Sequence, residues 1–348
     1  MATYAEAGVD IVAENATIAT LTAALSRTFS HRDGKLGEVL PAEGHFANYV
    51  RIGKQLAVLC TDGVGTKVLV AQQLRKYDTV GIDCVAMNVN DMLCVGAEPI
   101  AMVDYLAVER HDPEMVRGIA AGLAEGARQA GIAIIGGETA SLAGVITGVE
   151  GRGFDLAGTC FGLVDESAVI TGSAAREGDA IVGLASSGIH SNGLSLARKI
   201  LLGHADARDA LYPGMSIGDA LLEPTRIYVK PVLEMLRTHR ESIHAMYHIT
   251  GSGFLKFRRL RKDIGFRITT LLPVPRIFQE IEKRGVPAEE MFRTFNMGVG
   301  FVLVTPEPEP LLAIARRHGV PAGVIGEVDG SRRITIEPAG VSYEVSHG

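Results

Sequence analysis

The chain lacks the features that would place it in a membrane, on a nucleic acid or in an oxidising compartment. No apolar run approaches the ~20 residues that span a bilayer. No Lys/Arg tract is present: 34 basic residues face 40 acidic ones, for a net charge of −6 and a pI near 6.0. The one basic cluster, Arg258-Arg259-Leu260-Arg261-Lys262, reads as a solvated helix face. The sequence therefore argues against both nucleic acid and membrane as partners. The four cysteines (Cys60, Cys84, Cys94, Cys160) form no Cys-x-x-Cys pair and sit in apolar segments, as buried thiols of a reducing compartment do. Residues 1–8 carry neither the basic nor the apolar region of a secretory leader, so a cytoplasmic protein is expected. Histidines at zinc-ligand spacing are missing. So are G-x-x-x-x-G-K-S/T and G-x-G-x-x-G, which leaves P-loop and Rossmann nucleotide sites unsupported.

Glycine, by contrast, is abundant: 41 of 348 residues, clustered at strand ends and without a collagen-like period. The length exceeds what one hydrophobic core supports, so two domains are expected. A polar, Gly-rich stretch at 167–179 places the boundary, giving residues 1–168 and 169–348. The first part reads as a polar arm with a helix near 15–28, then strands at 56–61, 99–108, 132–135 and 157–164. In the helix at 79–95, Ile82, Val85, Ala86, Val89, Met92 and Leu93 recur at 3.6-residue spacing, with Asp83, Asn90 and Asp91 opposite. A second helix starts at Asp112 (N-cap) and Pro113 and ends before Gly131. The second part reads as a strand at 180–185, a loop at 186–193 and helices at 194–202 and 224–239. Then come a strand at 243–248, a Gly turn at 250–253 that opens a helix, a strand at 299–304, a helix at 309–318 and two short strands. The fold class is α/β (α+β) in two domains.

Four polar clusters lie where strands end or helices begin. The apolar run Leu56–Leu59 leads into Thr61-Asp62-Gly63-Val64-Gly65-Thr66-Lys67. Glycines there let backbone approach a ligand, aspartate suits a hard cation such as Mg²⁺, and lysine suits a phosphate. The others are Asn88, Asn90 and Asp91; Gly136-Gly137-Glu138-Thr139; and Ser187-Gly188-Ile189-His190-Ser191-Asn192-Gly193. Asp62, Asp91 and Glu138 are the candidate metal ligands, because acids converging from separate elements suit a Mg²⁺–nucleotide complex. The loop at 187–193 opens a helix and so suits an anion, and a neutral His190 there can move a proton. Thr250-Gly251-Ser252-Gly253 is a second candidate cradle, assigned to the substrate phosphate. Each also has an ordinary reading: a hairpin turn at Asp62-Gly63, a helix-face charge at Asp91, a turn residue at Glu138, a surface histidine, a plain helix N-cap.

The order of these motifs resembles the aminoimidazole ribonucleotide synthetase (phosphoribosylformylglycinamidine cyclo-ligase) family over nearly the whole chain. The resemblance begins at Tyr4 with residues 7–11 and runs through Thr61–Lys67, Gly81-Ile82-Asp83 with residues 86–91, and Gly96-Ala97-Glu98-Pro99. It continues in residues 136–140, 186–193 and 224–230, His248-Ile249-Thr250-Gly251, and residues 291–300. It implies a homodimer whose N-terminal sheets join into a shared barrel, and an N-terminal domain for ATP binding and dimerisation. ATP would lie at Asp62, Gly63, Gly65, Thr66, Lys67, Asn90, Gly136, Gly137 and Thr139. Formylglycinamidine ribonucleotide would lie at Ser187, Gly188, His190, Ser191, Asn192, Thr250, Gly251 and Gly253. Lys67, Asp91 and His190 are the implied catalytic residues. In the implied reaction ATP phosphorylates the formamide oxygen and a ring nitrogen then displaces phosphate. The chain departs from the family pattern at residues 43–47, 141–144 and 252–260. Those changes leave open a non-catalytic or differently specific ATP-binding paralogue; an N-terminal arm without cysteine argues against a selenophosphate synthetase.

Overall fold

The computed structural model describes residues 11–40, 42 and 44–345; Tyr4, residues 7–10 and Glu43 lie outside the described residues. Helix α1 (Ile11–Leu25) precedes strands β1 (Glu38–Val39), β2 (Asn48–Ile52) and β3 (Gln55–Gly63). Helices α2 (Lys67–Leu74) and α3 (Asp78–Leu93) follow, then β4 (Glu98–Val108), α4 (Pro113–Ala130), β5 (Ala133–Ser141) and β6 (Phe154–Asp165). The strands form a sheet in the order β1-β2-β3-β6-β4-β5, antiparallel except for β4/β5. A parallel pair needs a crossover, and α4 supplies it. The Asp112 carboxylate accepts from the Glu114 and Met115 N–H groups at 2.9 and 3.3 Å, and Gly131 ends the helix at φ +74°. Alternate residues of β3, β6 and β4 turn towards α3, among them Cys60, Cys160 and Met102, all buried. The other face carries Leu59, Val103 and Tyr105, which are 40–45% exposed.

The second half contains β7 (Ala180–Ala185), α5 (Leu194–Leu202), the hairpin β8 (Ala210–Tyr212) and β9 (Met215–Ser216), α6 (Ile217–Leu222) and α7 (Val229–His239). It continues with β10 (Ala245–His248), β11 (Gly265–Ile268), α8 (Arg276–Glu282), α9 (Ala288–Thr294) and β12 (Val299–Thr305). Helix α10 (Pro308–Arg317) and strands β13 (Ala322–Asp329), β14 (Arg333–Ile336) and β15 (Val341–Glu344) complete it. The sheet order is β10-β12-β7-β13-β11-β14-β15, with only β11/β14 parallel. Every residue of β10 and β12 is buried, so this end of the sheet is covered on both faces, whereas β14 and β15 alternate buried and exposed residues.

The α+β architecture with two sheets agrees with the expectation, and the local differences have physical causes. Strand β5 runs on to Ser141, so residues 136–139 pair with β4 instead of forming a turn. Residues 224–228 are not helical because tertiary acceptors hold their backbone: Thr225 N–H donates to Asp83 at 2.7 Å, and Tyr228 N–H to Asn90 at 3.0 Å. After Thr250–Gly253 comes a six-residue 3₁₀ helix, Gly253–Arg258, rather than an α-helix. Three strands, not two, follow α10. The four cysteines are buried and free, and no helix among the described residues is long and apolar enough to cross a membrane.

Candidate active site

Asp62 ends β3 and Asp91 lies in the last turn of α3. Asn88, one turn before Asp91, fixes their relation: its side-chain oxygen accepts from Asp62 N–H at 3.0 Å and its NH₂ donates to Asp62 C=O at 3.1 Å. Both acids line a cleft of about 690 Å³ together with Gly63, Gly65 and Thr66. The opposite wall comes from the second half, through residues 191–195, residues 250–252, Lys256 and Arg259. Thr66 and Ser195 meet hydroxyl to hydroxyl across it at 3.2 Å.

Burial, and next the neighbouring Asp91 charge, push Asp62 up to about 6, although Gly63 N–H donates to its carboxylate at 2.7 Å. Asp91 accepts from His248 Nδ1 of β10 at 2.7 Å. The cleft therefore holds two coupled carboxylates, one short of a compensating charge. Facing them are Lys256, lowered to about 8 by burial and by Arg259, and Arg259 itself. Neither cation stood out in the sequence, because the run 258–262 reads as a solvated face. Instead Arg258 donates to Glu344 C=O at 2.8 Å, and Arg261 donates to Ser173 and Ala175 C=O at 2.8 and 2.9 Å.

Several expected ligands lie away from the cleft. Lys67 is fully buried, its ammonium 2.8 Å from Asp83 and donating to Glu223 C=O at 2.7 Å and His190 C=O at 3.2 Å. It starts α2 with its side chain directed at Asp83 of α3 and at the carbonyls of residues 190 and 223, and it does not line the cleft. His190 is buried at φ +63°, its Nε2 accepting from the Ser187 and Arg226 N–H groups at 3.2 and 3.4 Å. Burial, then the charges of His248, Lys67 and Arg226, hold its pKa well below the usual histidine range, so it is a neutral pin for the loop. Asn90 is spent on Arg226 C=O at 2.9 Å and Tyr228 N–H. Ser187 donates to Pro224 C=O at 2.5 Å, and Gly188 C=O accepts from Asn296 at 2.9 Å. Gly136, Gly137, Glu138 and Thr139 lie on the exposed edge strand β5. Glu138 is in register with Tyr105, Ala157 and Gly63, three strands from Gly63, or roughly 14 Å. Accordingly, no group of three His, Cys, Asp or Glu side chains able to hold a metal occurs among the described residues.

The two anion cradles also differ from expectation. Ser191, Asn192 and Gly193 line the cleft, with Ser191 meeting Thr225 hydroxyl to hydroxyl at 3.1 Å. Thr250 and Gly251 line it too, but Gly251 N–H already donates to the Asn192 side chain. Gly253 is glycine for packing: it adopts φ +48°, and a Cβ there would sit 2.3 Å from Phe292 C=O.

An α+β scaffold with an acid pair facing a basic wall across the boundary of two sheets is the class this site defines. The chain belongs to the AIR synthase related protein family: that family's N-terminal domain matches residues 44–164 and its C-terminal domain residues 176–338. It is 50% identical over 343 residues to a phosphoribosylformylglycinamidine cyclo-ligase of Thermococcus kodakarensis, covering 98% of this chain and 99% of that protein. With the protein of the same name from Pyrococcus furiosus the identity is 46%, over 99% of this chain and 100% of the relative. Among solved structures, AaThiL complexed with AMPPCP and TMP has a TM-score of 0.65 at 14% identity, covering 94% of both chains. A thiamine-monophosphate kinase from Stenotrophomonas maltophilia K279a has a TM-score of 0.62 at 18% identity, covering 91% of this chain and 97% of that one. At such identities the structural likeness establishes the fold alone.

Proposed function

We propose that the chain is an ATP-dependent ligase that closes the imidazole ring of formylglycinamidine ribonucleotide to give 5-aminoimidazole ribonucleotide in purine biosynthesis. The observation that carries this reading is the 50% identity, end to end, to a relative named for that reaction. On this reading the formamide oxygen takes the γ-phosphoryl group of ATP, ADP leaves, and the ring nitrogen then attacks the same carbon and expels phosphate. The cleft suits this chemistry, since such a reaction depends on positioning and on neutralising phosphoryl charge. Asp62 and Asp91 fit Mg²⁺, because both are carboxylates and Asp62 is held by burial in need of a positive neighbour. When bound, the ion supplies charge neutralisation for the polyphosphate. Residues 1–168 are read as the ATP-binding and dimerisation domain, residues 169–348 as the second domain, and the enzyme as cytoplasmic.

A homodimer is part of the same reading. Leu59, Val103, Tyr105 and Ile135 on the first sheet, and Ile18, Leu21, Leu25 and Phe29 around α1, are exposed apolar side chains. Together with the edge strand β5 they form a surface that pairing of two copies would cover. Glu138 and the glycines beside it would reach ATP only within such an assembly. Sedimentation at micromolar concentration should give twice the chain mass; a monomer would refute the pairing.

Purified protein should convert the ribonucleotide with one ADP and one phosphate released per ring formed, and should complement a purine auxotroph lacking this step. Absence of both would leave the non-catalytic paralogue. Asp91→Asn should lower kcat by at least about 100-fold, the scale for removing an electrostatic partner of a reacting group, with unchanged melting temperature. Wild-type kinetics in that variant would take the acid pair out of the reaction.

A further inference from the structure

Lys256 and Arg259 are three residues apart at the end of a 3₁₀ helix, where side chains at i and i+3 eclipse. Both enter the cleft that holds Asp62 and Asp91. Among the described residues neither side chain makes a hydrogen bond or an ion pair, although their neighbours Arg258 and Arg261 are both engaged. They are not loose. The Arg259 guanidinium lies 4.5 Å above the Phe46 ring and the Lys256 ammonium 5.9 Å from it, and Phe46 is buried. The backbone beneath is seated as well: Gly44 adopts φ +77°, and a Cβ there would lie 2.0 Å from Arg259 C=O. Residues 44–46 and 252–259 pack directly on each other. The turn that precedes them cannot offer a full backbone cradle, since Gly251 N–H is committed to Asn192.

We infer that Lys256 and Arg259, held on Phe46, form the phosphate-binding site of the cleft, doing with side chains what the adjacent turn does not do with backbone N–H groups. A guanidinium fork and an ammonium on one side match the oxygens of a phosphate, and among the described residues neither cation is held in an ion pair, although Asp62 and Asp91 face them across the cleft. Partial burial, which brings Lys256 down to about 8, means that an incoming dianion restores its full charge. Resting on the ring-closing reading, two phosphates are available: the monoester of the ribonucleotide and the polyphosphate of ATP.

The test uses Arg259→Met and Lys256→Met, which keep the stems and remove the charges. Each should raise KM for one phosphate-bearing substrate about 10- to 100-fold, the factor for losing a charge-assisted hydrogen bond, with kcat within threefold and the melting temperature unchanged. Arg259→Lys should recover part of the loss. A rise confined to the ribonucleotide assigns the site to the monoester, and one confined to ATP assigns it to the polyphosphate. Should neither KM move, or kcat fall while both KM values hold, the inference is overturned. Titration calorimetry with ribose 5-phosphate and with ATP, on wild type and Arg259→Met, makes the test independent of turnover. If the wild type closes no ring yet binds one of these probes at least tenfold tighter than the variant, the functional reading fails and the site stands. Equal binding of both probes by both proteins removes the site.

Discussion

Lys67 and Lys256 stand at the same boundary between the two halves, yet the ammonium of one is engaged by an ion pair and two hydrogen bonds, and that of the other, among the described residues, by none. Lys67 meets Asp83, Glu223 C=O and His190 C=O in a fully buried setting. Thr225, from the second half, adds its N–H and hydroxyl to the same carboxylate at 2.7 and 2.6 Å. Lys256 rests near an aromatic ring and faces the cleft. A lysine whose ammonium is engaged on several sides inside the protein joins parts of it together, whereas one left facing a cavity awaits an anion. The type of residue is the same; its unspent hydrogen bonds separate the roles.

The strongest way to break this contrast is Lys67→Met. It leaves Asp83 buried without its cation, and should cost about 3–5 kcal/mol in chemical denaturation, with the two halves loosened from each other. Adding Asp83→Asn should recover part of that loss. A Lys67→Met protein of wild-type stability but with a raised KM for ATP would make Lys67 a phosphate ligand after all.

Asp62 sharpens the comparison from the acidic side, with a smaller effect. Its carboxyl is raised from 3.8 to about 6 in the folded chain. The folded state therefore holds that proton more tightly than the unfolded one, and ligand-free protein gains stability as pH falls from about 6 towards 4 and loses it on the way back up. Asp62→Asn should accordingly stabilise the ligand-free protein at pH 8 by about 2–3 kcal/mol, from 1.36 kcal/mol per pKa unit, and by nothing at pH 4. Denaturant titrations at the two pH values decide it. A variant less stable than wild type at pH 8 would mean that the native cleft already compensates the charge.

Much of the fold was legible because local signals agreed with tertiary ones. Asp112, Pro113 and Gly131 bracket α4 almost to the residue. Likewise α3 is a helix as its spacing requires, but it is buried nearly all round: Ile82 and Val85 pack on α4, Cys84 and Asn88 face the sheet, and the polar Asp83 and Asn90 are buried instead of solvated. Strand β3 and the acid at its end were readable for the same reason. What a one-dimensional pattern does not contain is direction. The motif names Lys67 beside a glycine loop, but the start of α2 turns its side chain away from Asp62. Glu138 sits in a Gly-rich stretch that reads as a turn, yet pairing with β4 carries the strand through it. Residues 224–228 have an acceptable helical sequence and lose it to Asp83 and Asn90, 142 and 138 residues distant. Lys256 and Arg259 stayed hidden because one lies outside the basic run 258–262 and the other inside it, and only tertiary packing turns these two into the cleft while Arg258 turns to Glu344 C=O.

The paired bonds of Asn88 make a helix behave, at one point, as a neighbouring strand would, giving and receiving a hydrogen bond with the same residue of β3. Asp62 and Asp91 are thereby mounted on one solid jaw. The basic wall with Lys256 and Arg259 belongs to the other, and His248, from the far side, touches the first jaw at Asp91. Were the halves to part and admit a substrate, the His248–Asp91 contact would lengthen and the gap between acids and cations would widen, while the spacing of the acids stayed constant.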